Sequence, residues 1–263
     1  MNRNSAGDAP QGQEAATPTP PPPARPGLRE RIAAFPGTFA LIGITVLVFI
    51  AQYLSNTLLG FDIVLGLGAK SNPGMLAGQY WRLVTPIFLH LGLLHIAVNM
   101  YSLYIIGPPV ERFFGTARMV TLYFLSGIGG VAMSLAFASY PSAGASGAIF
   151  GLLGALAAFI FLNRSLFGEQ AKVQLRQIVL IAVLNLAIGL SPGIDDWGHL
   201  GGLIVGLLLA WVLGPKFVQA FNPMGGTRWM DSRPWSSTWP YYVLAAVLVL
   251  AAGLSAVHSP FNG

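Results

Sequence analysis

Gly144-Ala145-Ser146-Gly147-Ala148-Ile149-Phe150-Gly151 opens one long apolar stretch of this chain, and His199-Leu200-Gly201-Gly202-Leu203-Ile204-Val205-Gly206 opens another. If both stretches are membrane helices entered from the same side, a hydroxyl and an imidazole lie at one depth in the bilayer. That pairing suggests a nucleophile and its base.

The composition supports lipid as the solvent. Of 263 residues, 54% are hydrophobic and only 9% charged, whereas a soluble domain carries about a quarter charged residues. The net charge of +5 is scattered between apolar blocks, not gathered into the basic stripe a nucleic-acid surface needs. There is no cysteine, so disulfides and thiolate zinc sites are excluded.

A bilayer core of roughly 30 Å takes about 20 apolar residues in helical form. Seven segments meet that demand, or nearly so with tilt: about 37–55, 83–106, 118–139, 145–163, 173–191, 194–213 and 240–257. The fifth and sixth are joined by the short turn Ser191-Pro192-Gly193-Ile194-Asp195-Asp196, where proline and glycine stop the helix. Ahead of them, the run Thr17-Pro18-Thr19-Pro20-Pro21-Pro22-Pro23 has nothing apolar to bury, and it predicts a disordered tail over 1–34. No apolar core follows the first basic residues closely enough for a cleavable signal peptide.

Direction follows from the basic residues. With the amino terminus cytoplasmic, inner segments hold Arg3, Arg25, Arg29, Arg31, Arg112, Arg118, Arg164, Lys172, Arg176, Lys216, Arg228 and Arg233, which is 12 of the 14 Lys and Arg residues. Outer segments hold only Lys70 and Arg82. The predicted arrangement is therefore amino terminus inside and carboxyl terminus outside, with a bacterial plasma membrane as the expected setting.

Spans two, four and six then enter from the outer face. Span two carries His90, His95 and Asn99 in its outer half, span four has Ser146 near its outer end, and span six has His199 about a turn in. Polar side chains at membrane depth are costly and normally face a cavity or a partner. At about 100° per residue, His95 and Asn99 share a helix face while His90 points elsewhere, a placement suited to bracing a loop. Gly147, Gly151 and Ala155 form a small-residue ridge on span four, and Gly198, Gly202, Gly206 and Ala210 form another on span six. Such ridges let helix backbones approach closely in lipid. Taken singly, each feature has a plain structural reading: helix packing for the ridges, a bond back to the helix for the serine. Their coincidence in one leaflet is what points to a site.

These residues resemble the rhomboid intramembrane proteases. Trp81-Arg82, His95 with Asn99, Glu111-Arg112, Gly144-Ala145-Ser146-Gly147 and His199-x-x-Gly202-x-x-x-Gly206 occur in the family's order, over about residues 38–214. The resemblance implies an all-α polytopic membrane protein, a rhomboid-like six-helix bundle with one appended transmembrane helix. It implies Ser146 as nucleophile and His199 as general base, then acid, with no third acidic member. His95, Asn99 and the Ser146 backbone N–H would form the oxyanion hole. Gly144, Gly147, Phe150, Gly202 and His90 would pack around the site or line its substrate pocket, Phe150 standing where some relatives have tyrosine. Trp81 and Arg82 would be structural residues of a membrane-edge loop, and Asp195 and Asp196 solvated turn residues.

The implied activity is endoproteolysis of single-span membrane proteins near the outer face, with no cofactor, metal or nucleic acid involved and the lipid bilayer as surroundings. The expected domains are a tail over 1–34, the six-helix core over 35–214, a cytoplasmic linker over 215–239 and the seventh helix with a short outer tail over 240–263. The alternative is a non-enzymatic rhomboid-like protein that binds or escorts membrane proteins. Other membrane proteases fit poorly. His-Glu-x-x-His is absent, the aspartates lie in tails and loops, and Ala148 breaks the Gly-x-Ser-x-Gly elbow.

Overall fold

The computed structural model describes residues 27–189, 193–221 and 226–259. The proline tract, and Ser191 and Pro192 of the turn before α10, lie outside the described residues. Helix α1 (Leu28–Ala34) leads into α2 (Pro36–Leu59), and two short helices, α3 (Ile63–Gly68) and α4 (Asn72–Leu76), follow in a long connection. Two 3-10 turns, Tyr80–Leu83 and Thr85–Phe88, lead to α5 (Leu93–Phe114). Next come α6 (Thr116–Phe137), α7 (Ser146–Leu162), the short α8 (Arg164–Phe167), α9 (Gln170–Gly189) and α10 (Asp196–Leu213). An antiparallel hairpin, β1 (Phe217–Phe221) and β2 (Thr227–Asp231), precedes α11 (Trp235–Ala256).

Five of these helices, α2, α5, α6, α10 and α11, are long and apolar enough to cross a membrane. Helix α7 is apolar but has only 17 residues, and α9 spends Lys172, Gln174, Arg176 and Gln177 in its first turns. The chain is a polytopic, predominantly helical membrane protein. Its outward side chains agree with that: Leu47 on α2 and Leu248 on α11 are each more than 60% exposed, which only a lipid surround makes favourable.

Helix α7 is the hub. It packs against α5, α6, α9 and α10, and α6 and α10 also pack on each other. At 1.5 Å per residue its 17 residues span about 25 Å, less than the roughly 30 Å of a bilayer core. Its first residue, Ser146, follows directly on the connection from α6. At the other end Asn163 accepts from Phe217 N at 2.7 Å and donates to the Pro215 carbonyl at 3.0 Å, joining α7 to β1.

Four boundaries differ from the sequence reading. Residues 28–34 are not part of a disordered tail: they form α1, where Arg31 lies over the Tyr104 ring at 4.4 Å and donates to its hydroxyl. Span two begins at Leu93, not 83, because Pro86 and Gly92 interrupt helical hydrogen bonding, and it runs on through Pro108 and Pro109 to Phe114. There Gly115, at φ 79, takes the left-handed conformation that lets α6 start one residue later. The 215–239 segment is not simply a linker, since it holds the hairpin and the first turn of α11.

Buried Arg118 of α6 explains that last difference. It pairs with Asp231 at 3.0 Å and donates to the Arg233 carbonyl and to Thr238 Oγ1. Helix α11 accordingly lies along α6, with Gly253 against Leu83 and Ala132. The seventh helix thus touches the core and the loop that carries Trp81-Arg82.

Candidate active site

The structure brings Ser146 and His199 together: His199 Nε2 lies 2.8 Å from Ser146 Oγ. Both stand at the beginnings of their helices, Ser146 as the first residue of α7 and His199 as the fourth of α10. The Phe150 ring stacks on the imidazole, centroids 4.6 Å apart and planes 12° apart. Beside the pair is a cavity of about 40 Å³, bordered by Ser146, His199, Gly144, Ser142, Gly130 and Asp195, enough for one or a few water molecules.

Glycine makes this approach possible. A methyl group at Gly202 would sit 1.9 Å from the Gly147 carbonyl oxygen, and one at Gly206 would sit 2.0 Å from that of Gly151. Helices α7 and α10 therefore meet backbone to backbone, as the two small-residue ridges require. On the far side, a methyl at Gly130 of α6 would meet the Gly198 carbonyl at 2.5 Å.

The other expected site residues are close by, with different orientations. A side chain on Gly144 would lie 3.0 Å from the His95 ring and 3.4 Å from Ser146 Oγ, so both groups border the space that the missing Gly144 side chain leaves open. Asn99 is buried and donates from Nδ2 to the His95 carbonyl at 2.9 Å. That leaves its second N–H for another acceptor. The Ser146 N–H, at the first position of a helix, has no intrahelical acceptor. His90 is not on span two as expected but in the non-helical segment before α5. Its backbone is clamped by the Gln52 amide, His90 N to Oε1 at 3.0 Å and Nε2 to the His90 carbonyl at 3.1 Å. Its ring meets His95 edge-on at 5.0 Å, with Nε2 3.5 Å from Ala145 N.

Arg82 is buried and donates to Gln79 Oε1 and to the Ala69 and Gly66 carbonyls, while exposed Trp81 donates from Nε1 to the Leu67 carbonyl at 2.9 Å. Both hold the α3–α4 connection in shape. Lys70, which the sequence reading left without a role, is wholly buried and donates to the Ala138 and Tyr140 carbonyls at 2.5 and 2.9 Å. Burial lowers its pKa to about 8, partly offset by the Asp195 carboxylate.

Asp195 corrects an expectation. It is not a solvated turn residue but the N-cap of α10, accepting from Gly198 N at 3.0 Å and from the Ser134 and Ser142 hydroxyls at 2.5 Å each. A cap signal was present in the sequence, an aspartate just ahead of an apolar helix. Its serine partners were not legible, because they come from other parts of the chain. Asp196 Oδ1 lies 4.0 Å from His199 Nδ1, too far for a direct hydrogen bond.

A family model described as Rhomboid domain matches residues 77–216, a little over half of the chain. The chain belongs to the rhomboid family. Rhomboid protease GluP of Bacillus subtilis (strain 168) is 39% identical over 186 residues, 70% of this chain and 36% of that protein. RHOMBOID-like protein 5 of Arabidopsis thaliana is 41% identical over 163 residues, 60% of this chain and 52% of the plant protein. RHOMBOID-like protein 6, mitochondrial, of the same plant is 36% identical over 190 residues, 70% of this chain and 62% of its own length. The chain thus spans less than two thirds of each of these relatives. The rhomboid match contains Trp81, Arg82, His95, Asn99, Ser146 and His199, whereas α2 and α11 fall outside it.

Proposed function

We propose that this rhomboid protein is an intramembrane serine endopeptidase that cuts transmembrane segments of single-span membrane proteins near the outer face. The observation that carries the reading is the 2.8 Å separation of His199 Nε2 and Ser146 Oγ beside a water-sized cavity. Ser146 Oγ attacks the scissile carbonyl carbon while His199 Nε2 takes its proton. The same imidazolium then protonates the leaving amine. A water molecule, deprotonated by His199, cleaves the resulting ester, and Ser146 regains its hydrogen.

For Nε2 to accept, the ring hydrogen must reside on Nδ1, and the stacked Phe150 keeps the imidazole plane in that orientation. With Asp196 at 4.0 Å, the pair works as a dyad. The tetrahedral oxyanion is held by the Ser146 N–H, the free N–H of Asn99 and His95. Loss of one such donor typically costs on the order of 100-fold in rate. Because a substrate helix hides its carbonyls in backbone hydrogen bonds, segments weakened by Gly, Ala, Ser or Pro are the preferred targets.

The direction of insertion, amino terminus in the cytoplasm and site opening outward, gains support from the two basic residues that oppose it. Lys70 and Arg82 are both buried and bonded to backbone carbonyls, so neither counts as a free charge outside.

The test is cleavage of a single-span reporter in liposomes, together with labelling by a fluorophosphonate. Wild type should cleave and label, while Ser146→Ala and His199→Ala should do neither. A folded wild type that cleaves no reporter and takes no label overturns the reading and leaves a rhomboid that binds membrane proteins without cutting them.

A further inference from the structure

Building on the dyad reading above, we propose that Asp195 is a positioning residue: its single carboxylate locks the first turn of α10, which carries His199, to the segment 138–145, which leads into Ser146. Oδ1 caps α10 by accepting from Gly198 N at 3.0 Å, one residue before the histidine. Oδ2 accepts from Ser134 Oγ on α6 and from Ser142 Oγ in the segment leading to Ser146, both at 2.5 Å. Hydrogen bonds to a carboxylate are shorter and about twice as strong as neutral ones, so three of them form a tight junction of two helices and a loop.

The same turn of α10 is wedged from behind. The Gly198 carbonyl lies where a methyl on Gly130 of α6 would come within 2.5 Å and one on Gly147 of α7 within 3.0 Å. The first turn of α10 is therefore held by close backbone approach to α6 and α7 as well as by Asp195. The 138–145 segment is fastened from its other side as well. Ser142 exchanges backbone hydrogen bonds with Lys70 at 2.8 and 3.3 Å, and Lys70 Nζ takes the Ala138 and Tyr140 carbonyls. Gly144 N adds a bond to the Pro86 carbonyl at 2.9 Å. Residues 138, 140, 142 and 144 are each tied, and the Asp195–Ser142 bond is the tie that reaches the histidine's helix. The carboxylate also borders the cavity beside the dyad, but it makes no hydrogen bond to the His199 ring.

Chemistry distinguishes positioning from a charge effect. In Asp195→Asn, Oδ1 still caps Gly198 N, and Nδ2, with two hydrogens, donates to both the Ser134 and Ser142 hydroxyls, which rotate to accept. The junction survives without the charge. In Asp195→Ala it is lost.

The experiment uses full-length protein in liposomes. Hydrogen exchange is read over 139–146 and 196–200, with the fluorophosphonate labelling rate of Ser146 and the kcat and KM for a single-span reporter. Asp195→Ala should raise exchange in both segments together and slow labelling about 10- to 100-fold, the cost of a misplaced catalytic group. The loss should fall on kcat, with KM within about threefold. Asp195→Asn should stay within about threefold of wild type in both exchange and labelling. If Asp195→Ala does not fold, Ser142→Ala, which keeps the helix cap, should loosen 139–146 alone and slow labelling less. Unchanged exchange over 139–146 in the Ala variants, or an Asn variant as impaired as Asp195→Ala, overturns the proposal. A wild type that neither cleaves nor labels counts against the protease reading, while the exchange measurement still decides whether Asp195 ties the two segments.

Discussion

Phe150 lies flat on the imidazole of His199, ring centroids 4.6 Å apart and planes at 12°. The two residues come from different helices, α7 and α10, and the contact exists only because Gly147, Gly151, Gly202 and Gly206 let those helices touch through their backbones. The imidazole is held between the Ser146 hydroxyl at its Nε2 and an aromatic face.

Replacing that face while keeping apolar volume isolates its contribution. Phe150→Leu should slow Ser146 labelling by about 5- to 10-fold, the equivalent of a stacking contact of about 1 kcal/mol, with little change in melting temperature. Phe150→Tyr should label within about twofold of wild type, because the ring remains. Equal labelling by the Leu variant would show that stacking does not orient His199.

Gly206 lies about two turns beyond His199, and a methyl there would meet the Gly151 oxygen at 2.0 Å. Gly206→Ala should therefore destabilise the fold by about 1–3 kcal/mol as the helices are forced apart. Gly43→Ala is the control, since nothing lies within 4 Å of a methyl at that position. Thermal unfolding of both variants in one detergent is the measurement, and an equal response from the two would refute close packing at Gly206.

Lys70 supplies a pH test. Burial lowers its folded pKa to about 8 from 10.5, so between those values the unfolded chain binds more protons than the folded one. Stability must then rise with pH across that window. The contribution of Lys70 is worst below pH 8, where the buried ammonium is charged, and levels off above 10.5. Melting temperatures of wild type measured relative to Lys70→Met should increase from pH 8 to pH 10; a flat or falling difference would contradict a buried, desolvated amine.

Arg118 ties the hairpin and α11 to α6 through Asp231, Arg233 and Thr238. Arg118→Ala leaves a partly exposed carboxylate unpaired and should cost about 1–3 kcal/mol. Limited proteolysis should then cut within 216–234 well before wild type is cut. Unchanged protection there would mean that α11 is held by its apolar contacts alone.

Much of this protein is legible in its sequence. The apolar runs, five of which form helices of membrane length, and the ridges around Ser146 and His199 are local patterns, and each has a local physical cause. Helix ends were less legible. Pro86 stands in the first turn of a short 3-10 helix, whereas Pro108, Pro109 and Pro240 are carried inside long α-helices.

By itself, then, the sequence determined a predominantly helical membrane protein and the chemical types at the starts of its helices, because burial in lipid constrains every residue of a spanning helix in the same way. Only the tertiary structure decided which polar groups meet. The Gln52 amide clamps His90, Lys70 takes the carbonyls of the loop before Ser146, Asp195 collects Ser134 and Ser142, and α11 lies along α6. Each of those contacts joins segments far apart in the chain. A polar side chain states locally that it needs a partner; the packing of helices determines which partner it finds.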